Sequence, residues 1–180
     1  MGDPLLDGLA GRRRVMAWVA GTAALAAGHG VVRGAGQSTT ADAAMPALEL
    51  AASDGLPVLP GEPTPWRLTY VDFWASWCTP CRLAFPWLND MHERFGPQGL
   101  RIVGVCLDRR REDALRFLER WPARFAIAMD PQADSARKLD VKVMPSSFAV
   151  DAQRRLRFFH QGFRTEDRPE LEKRLLAALA

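Results

Sequence analysis

Cys78 and Cys81 flank Thr79-Pro80, after the apolar run Tyr70-Val71-Asp72-Phe73-Trp74-Ala75 and before a helical pattern. With Cys78 at the mouth of that helix and Cys81 one turn inside it, the two side chains face each other at a distance a disulfide can close. Such a pair carries two electrons. The unpaired N–H groups and positive end of the helix stabilise a thiolate on Cys78, making that sulfur the attacking nucleophile. Pro80 fits because the first helical turn has no N–H partner to lose. The same spacing also serves as half of a structural zinc site, which needs a second ligand pair at similar spacing. The other candidates, Cys106, His29, His92 and His160, are scattered singly. The strand before and the helix after favour redox chemistry, and no metal or other cofactor is expected.

The elements that must hold these sulfurs can be read from periodicity. Leu68 to Ala75 is a continuous apolar run suited to a strand buried on both faces. Thr79 to Phe95 has Leu83, Trp87, Leu88 and Met91 at helical spacing and ends at Gly96-Pro97, with Pro86 expected to kink it. Ile102 to Leu107 reads as a second buried strand, Glu112 to Trp121 as a helix, Arg124 to Met129 as a short strand and Asp134 to Leu139 as a short helix. Ser147 to Val150 and Arg155 to His160 form a hairpin, and Glu166 to Leu179 closes the chain as a helix. Upstream, Ala47 to Leu50 reads as a short strand and Ser53 to Pro65, rich in proline, as a surface loop. This order predicts an α/β fold with a mixed central sheet and helices on both faces.

At 180 residues and 48% hydrophobic content the chain holds one domain with a real core. The formal charge of +3 is spread along the sequence. Arg109-Arg110-Arg111 and Arg154-Arg155 read as solvated turn residues, so no nucleic-acid partner is expected. Residues 1–43 differ in kind. Arg12-Arg13-Arg14 precedes an apolar run from Val15 to Ala27, the pattern of an export signal, with a resemblance to a twin-arginine leader. Cleavage after Gly34-Ala35-Gly36 or Ala41-Asp42-Ala43 is one outcome. An uncleaved membrane anchor, with the run extended to Val32, is the other. Both deliver residues 44–180 outside the cytoplasm, into the periplasm.

Val71-Asp72-Phe73-Trp74-Ala75-Ser76-Trp77-Cys78-Thr79-Pro80-Cys81-Arg82, then Phe85-Pro86, Ile102-Val103-Gly104-Val105 before Asp108, and Val143-Met144-Pro145-Ser146-Ser147-Phe148 before Asp151 together resemble the thioredoxin superfamily, within it the TlpA/ResA-like exported thiol-disulfide oxidoreductases. The resemblance implies a thioredoxin fold over about Pro46 to Ala180 and a dithiol/disulfide exchange activity. It also implies a cis bond at Met144-Pro145, facing Cys78 and leaving nearby backbone groups free for an extended substrate segment. An ordinary trans proline opening a strand is the alternative. The chain departs from the branch at Ala84, where a glutamate is usual, and at Asp72, where asparagine is common. The proton chemistry is therefore expected to rest on Asp72.

These readings assign Cys78 as nucleophile and Cys81 as the resolving thiol. Cys81 must lose a proton although it lies inside a helix, so a buried base is required; desolvation of Asp72 in the adjacent strand suits it to that task. Trp77, Thr79, Pro80, Met144 and Pro145 are the expected substrate contacts, and Trp77 and Trp74 are expected to shield the dithiol. Cys106 reads as an inert buried filler. The expected function is reduction of disulfides in client proteins, such as apocytochromes c or copper-centre assembly proteins, by a monomer recharged by a membrane thiol reductant. Because Thr79-Pro80 places no cation between the cysteines, a reductant is expected rather than a strong oxidant. The competing function is a metallochaperone holding Cu(I) between the two thiolates.

Overall fold

In the computed structural model of the chain, which describes residues 42–61 and 63–180, seven consecutive buried residues from Leu68 to Trp74 form strand β1. The expected leader lies outside the described residues except for its last two positions, Asp42 and Ala43. Strand β1 occupies the middle of a five-stranded sheet. It pairs in parallel with β2 (Leu100–Cys106), which pairs in parallel with β3 (Ala126–Met129). On its other side it runs antiparallel to β4 (Ser146–Asp151), which pairs with β5 (Leu156–Gln161). The order is β3-β2-β1-β4-β5, the mixed sheet expected from the sequence. Helices α1 (Thr79–Phe95), α2 (Arg111–Arg120), α3 (Asp134–Lys138) and α4 (Arg168–Leu179) complete the fold. Helix α1 continues through Pro86 to Phe95. Among the described residues, no helix is long and apolar enough to cross a membrane.

Strand alternation divides the core in two. Leu68, Tyr70 and Trp74 of β1, with Leu100, Ile102 and Cys106 of β2, pack with α1 and α4 and with Ala114 and Phe117 of α2. Val71, Phe73, Val103 and Val105 point the other way, toward α3 and the segment from Met45 to Leu59. Two sequence expectations fail in that segment. Ala47 to Leu50 forms no strand; the segment touches its neighbours through the single bridges Ala44–Arg155, Ala51–Pro57 and Ala52–Ala128. Nor does the proline-rich stretch run wholly over the surface, since Val58 and Leu59 are buried in the second core.

The anchor for this roof is a charged side chain on β2. Arg101 is 2% exposed and points toward the roof, where its guanidinium bonds both carboxylate oxygens of Asp54 and the carbonyls of Pro57 and Val58. A buried guanidinium is tolerated when its donors are satisfied in this way. Periodicity could not reveal the arrangement, because a lone arginine before an apolar run reads as a strand end. Upstream, Asp42 N–H donates to the Leu156 carbonyl and Leu156 N–H to that of Ala43, so the chain enters the fold beside the start of β5.

Gly104 of β2 lies beside Asp72 in register, and its missing side chain makes room for Trp74. A Cβ there would sit 3.0 Å from Trp74 Nε1, 3.0 Å from Ile127 Cδ1 and 3.1 Å from Phe125 Cε2. Gly104→Ala is expected to destabilise the protein by about 1–3 kcal/mol through overpacking, as measured by the denaturant midpoint at unchanged slope.

Candidate active site

The turn between β1 and α1 is four residues long, Ala75 to Cys78, and its conformation is held from outside. Ser76 donates its N–H to Asp108 Oδ2 at 3.0 Å and its hydroxyl to Oδ1 at 3.1 Å. Asp108 is 4% exposed and lies just past the end of β2. Its carboxylate also accepts from the Cys106 thiol at 3.4 Å. The bond Leu107 N–H to Trp74 O, at 2.9 Å, ties the two strand ends together. Cys78 then takes the N-cap position of α1 in an extended conformation, and its sulfur accepts the Cys81 N–H at 3.2 Å. Thr79 and Pro80 form the first helical positions, where the proline lacks only an N–H that would be unpaired anyway.

The two cysteines are bonded to each other, with an S–S distance of 2.01 Å and a Cα–Cα distance of 5.3 Å. Cys78 is 5% exposed and Cys81 fully buried, so the outer sulfur is the one an incoming group can approach. A cleft of about 430 Å3 opens beside it, lined by Trp77, Thr79, Pro80, Lys142, Val143 and Met144 among others. Met144-Pro145 is a cis peptide bond, as the family resemblance implied. Trp77 is 68% exposed and stands at the cleft. Trp74 does not: it is fully buried, meeting Phe85 edge-on and Phe117 at a tilt, and contributes to the core rather than shielding the sulfurs from outside. A larger cavity, about 580 Å3, lies between α2 and β3. It is lined mainly by alanines, leucines and other apolar groups, so the chemistry belongs to the smaller cleft.

Asp72 sits on β1 two residues before Trp74, on the same face of the strand, the face that packs under α1. It is 2% exposed. Oδ1 accepts the Ser147 hydroxyl at 2.7 Å, and Oδ2 has no partner among the described residues. Burial pushes its pKa up to about 7, the Ser147 hydrogen bond opposing that rise only in part. At Ala84, where the resemblance leads one to expect a glutamate, the side chain is small, apolar and buried. Asp72 is thus a buried acid on the α1 side of the sheet, as Asp108 is at the strand end. Cys106 is fully buried, and burial raises its thiol pKa well above the ordinary value. Among the described residues there is no group of three or more His, Cys, Asp or Glu side chains able to hold a metal ion.

Two partners of the site escaped the sequence reading. Asp108 entered the sequence reading through the family resemblance but with no partner, and its hold on Ser76 depends on β1 and β2 ending side by side. Ser147 appeared as a strand residue, and its meeting with Asp72 depends on the β1–β4 register, which places the two directly opposite. Neither pairing leaves a mark in local spacing.

Residues 40–175 match the Redoxin family. A thiol:disulfide interchange protein DsbE homolog of Paracoccus denitrificans is 36% identical over 114 residues, 59% of this chain and 61% of its own. The thiol-disulfide oxidoreductase ResA of Geobacillus kaustophilus is 26% identical over 106 residues, 59% of this chain and 60% of its own. The chain spans about half the length of the first curated relatives it matches. Among solved structures, one assigned to a thiol:disulfide interchange protein DsbE of Chlorobium tepidum superposes with a TM-score of 0.72 at 37% identity, over 78% of this chain and 99% of that one.

The raised pKa of Asp72 ties stability to pH. Between the ordinary carboxyl value of 3.8 and about 7 the folded chain holds a proton that the unfolded chain has released. Stability of the oxidised protein is therefore expected to fall as pH rises through that window and to level off above it. Asp72→Asn is expected to flatten this slope and to stabilise the protein at pH 8 by an amount on the order of a few kcal/mol. Denaturant unfolding at pH 4, 6 and 8 checks both.

Proposed function

The chain belongs to the Redoxin family, in the TlpA/ResA-like part of the thioredoxin superfamily, and from that premise we propose that it is an exported protein-disulfide reductase. The supporting observation is the seating of Cys78 as the N-cap of α1, slightly exposed, with the Cys81 N–H directed at its sulfur. In the reduced protein that N–H and the helix end stabilise a Cys78 thiolate. The thiolate attacks one sulfur of a client disulfide, forming a mixed disulfide and releasing the client's other thiolate, which takes a proton. Asp72 accepts the Cys81 proton on Oδ2, and the Cys81 thiolate displaces the client from Cys78. The second client sulfur leaves as a thiolate and is protonated in turn. The client has then gained two electrons and two protons, and Cys78–Cys81 is the disulfide seen in the structure.

Trp77, Thr79, Pro80, Met144 and Pro145 form the contact surface for the client chain beside the sulfurs. Residues 1–43 supply an export signal or membrane anchor, and residues 44–180 work as a monomer in the periplasm. A membrane thiol reductant returns the two electrons, and no resident cofactor is required. Clients of the kind awaiting covalent haem attachment or copper insertion, whose cysteines must be kept reduced, fit this chemistry.

Cys81→Ala removes the resolving sulfur, so the variant is expected to accumulate a reductant-sensitive adduct with client protein on Cys78, visible on non-reducing gels. Cys78→Ala should accumulate none; an adduct in that variant instead would reverse the two roles. The reduction potential of the pair, measured against glutathione, is expected nearer the about −270 mV of a reducing thioredoxin than the about −120 mV of a strong oxidant.

A further inference from the structure

Asp72 has two carboxyl oxygens in different circumstances. Oδ1 is engaged by the Ser147 hydroxyl at 2.7 Å, whereas Oδ2 is buried with no partner among the described residues. Ser147 is itself 3% exposed and sits opposite Asp72 in the β1–β4 register. We propose that Ser147 is a positioning residue for the exchange reaction, its hydroxyl occupying Oδ1 of Asp72 so that the proton taken from Cys81 is confined to Oδ2. The proposal rests on the reading of Asp72 as the base for Cys81.

A buried phenol lies beside this pair. Tyr70 lies two residues before Asp72 on the same face of β1, fully buried. Burial, and after it the nearby Asp72 carboxylate, push the phenol's pKa far above its ordinary value. The phenol therefore keeps its proton at every working pH. The Ser147 hydroxyl has one proton to give, and it gives it to Oδ1. With Oδ1 already accepting, Oδ2 is the basic atom. The loss of the Cys81 thiol proton and its later return both pass through that oxygen.

The other groups facing this cluster come from each neighbouring element. Cys81 of α1 is buried in the same apolar cluster as Tyr70. His160 stands opposite Ser147 on β5, and burial lowers its pKa. Arg174 of α4 acts electrostatically on both Tyr70 and His160. Gly104, the register partner of Asp72 on β2, contributes no charge. Ser147 is the member of this set that hydrogen-bonds the carboxylate, and its bond is what holds the Asp72 pKa below the value burial alone would impose.

The test reads the carboxyl directly, by 13C NMR of labelled aspartate in the reduced protein, together with the pH profile for resolution of a mixed disulfide formed between Cys78 and a chromogenic aryl thiol. Ser147→Ala is expected to raise the Asp72 titration midpoint by about one pH unit, a tenfold change in proton affinity, and to carry the resolution profile the same way. Ser147→Thr keeps the hydroxyl and should leave both where they are. Should the alanine variant fold poorly, Ser147→Val against Ser147→Thr makes the same comparison at matched volume. A midpoint that stays in place without the hydroxyl, while Asp72→Asn still slows resolution, overturns the proposal alone. A resolution rate indifferent to both pH and Asp72→Asn overturns the base reading, and this proposal with it.

Discussion

The junction between β1 and α1 has to turn the chain from a buried strand into a helix within four residues and still present one sulfur to the outside. Everything else in the molecule is arranged around that requirement. A short turn with exposed N–H groups would be loose by itself, and here Asp108 captures both the N–H and the hydroxyl of Ser76. With the turn fixed, Cys78 can cap the helix with its sulfur in place of the usual oxygen, and the N–H of Cys81 is the donor it satisfies. The capping geometry is thus also the chemical geometry: the donor that stabilises the helix start is the one placed to stabilise a thiolate.

Burial is what suits Asp72 to the proton transfer proposed for the second half of the chemistry. A carboxyl group in the middle of the central strand is an expensive choice for structure, because desolvation favours the neutral form. Among the described residues, the fold retains it with a single hydroxyl partner and one bare oxygen. A fully satisfied carboxylate would be a poor proton acceptor, and an exposed one would titrate far too low. Partial satisfaction in a dry site is what brings the group near neutrality. The neighbouring residues share the work, since Gly104 gives up its side chain so that Trp74 can close the core beside the carboxyl.

Much of this was legible before any coordinates. The Cys-x-x-Cys spacing, the apolar run before it and the helical period after it fixed a strand-turn-helix unit, and helix α1 spans the expected Thr79 to Phe95. Asp72 stood out as the one acidic residue in an apolar strand. What spacing could not disclose depends on distant elements meeting. The proline-rich stretch looked like a surface loop because its own composition says so, and only Arg101, over 40 residues later, draws Pro57 and Val58 onto the sheet. Trp74 and Trp77 look alike in sequence, but strand alternation sends the first into the core and the turn leaves the second outside. Ser147 acquires its meaning from a register between two strands that lie 75 positions apart.

The bonds joining Asp42 and Ala43 to Leu156 give the domain a polarity. Leu156 pairs with Val150, which faces Thr69 at the beginning of β1, whereas the sulfurs follow Trp74 at its far end. At about 3.3 Å per residue, the five steps from Thr69 to Trp74 set the entry point roughly 17 Å down the sheet from the reactive end. Asp42 and Ala43 therefore lie at the blunt pole of the sheet, away from the tip that carries the sulfurs.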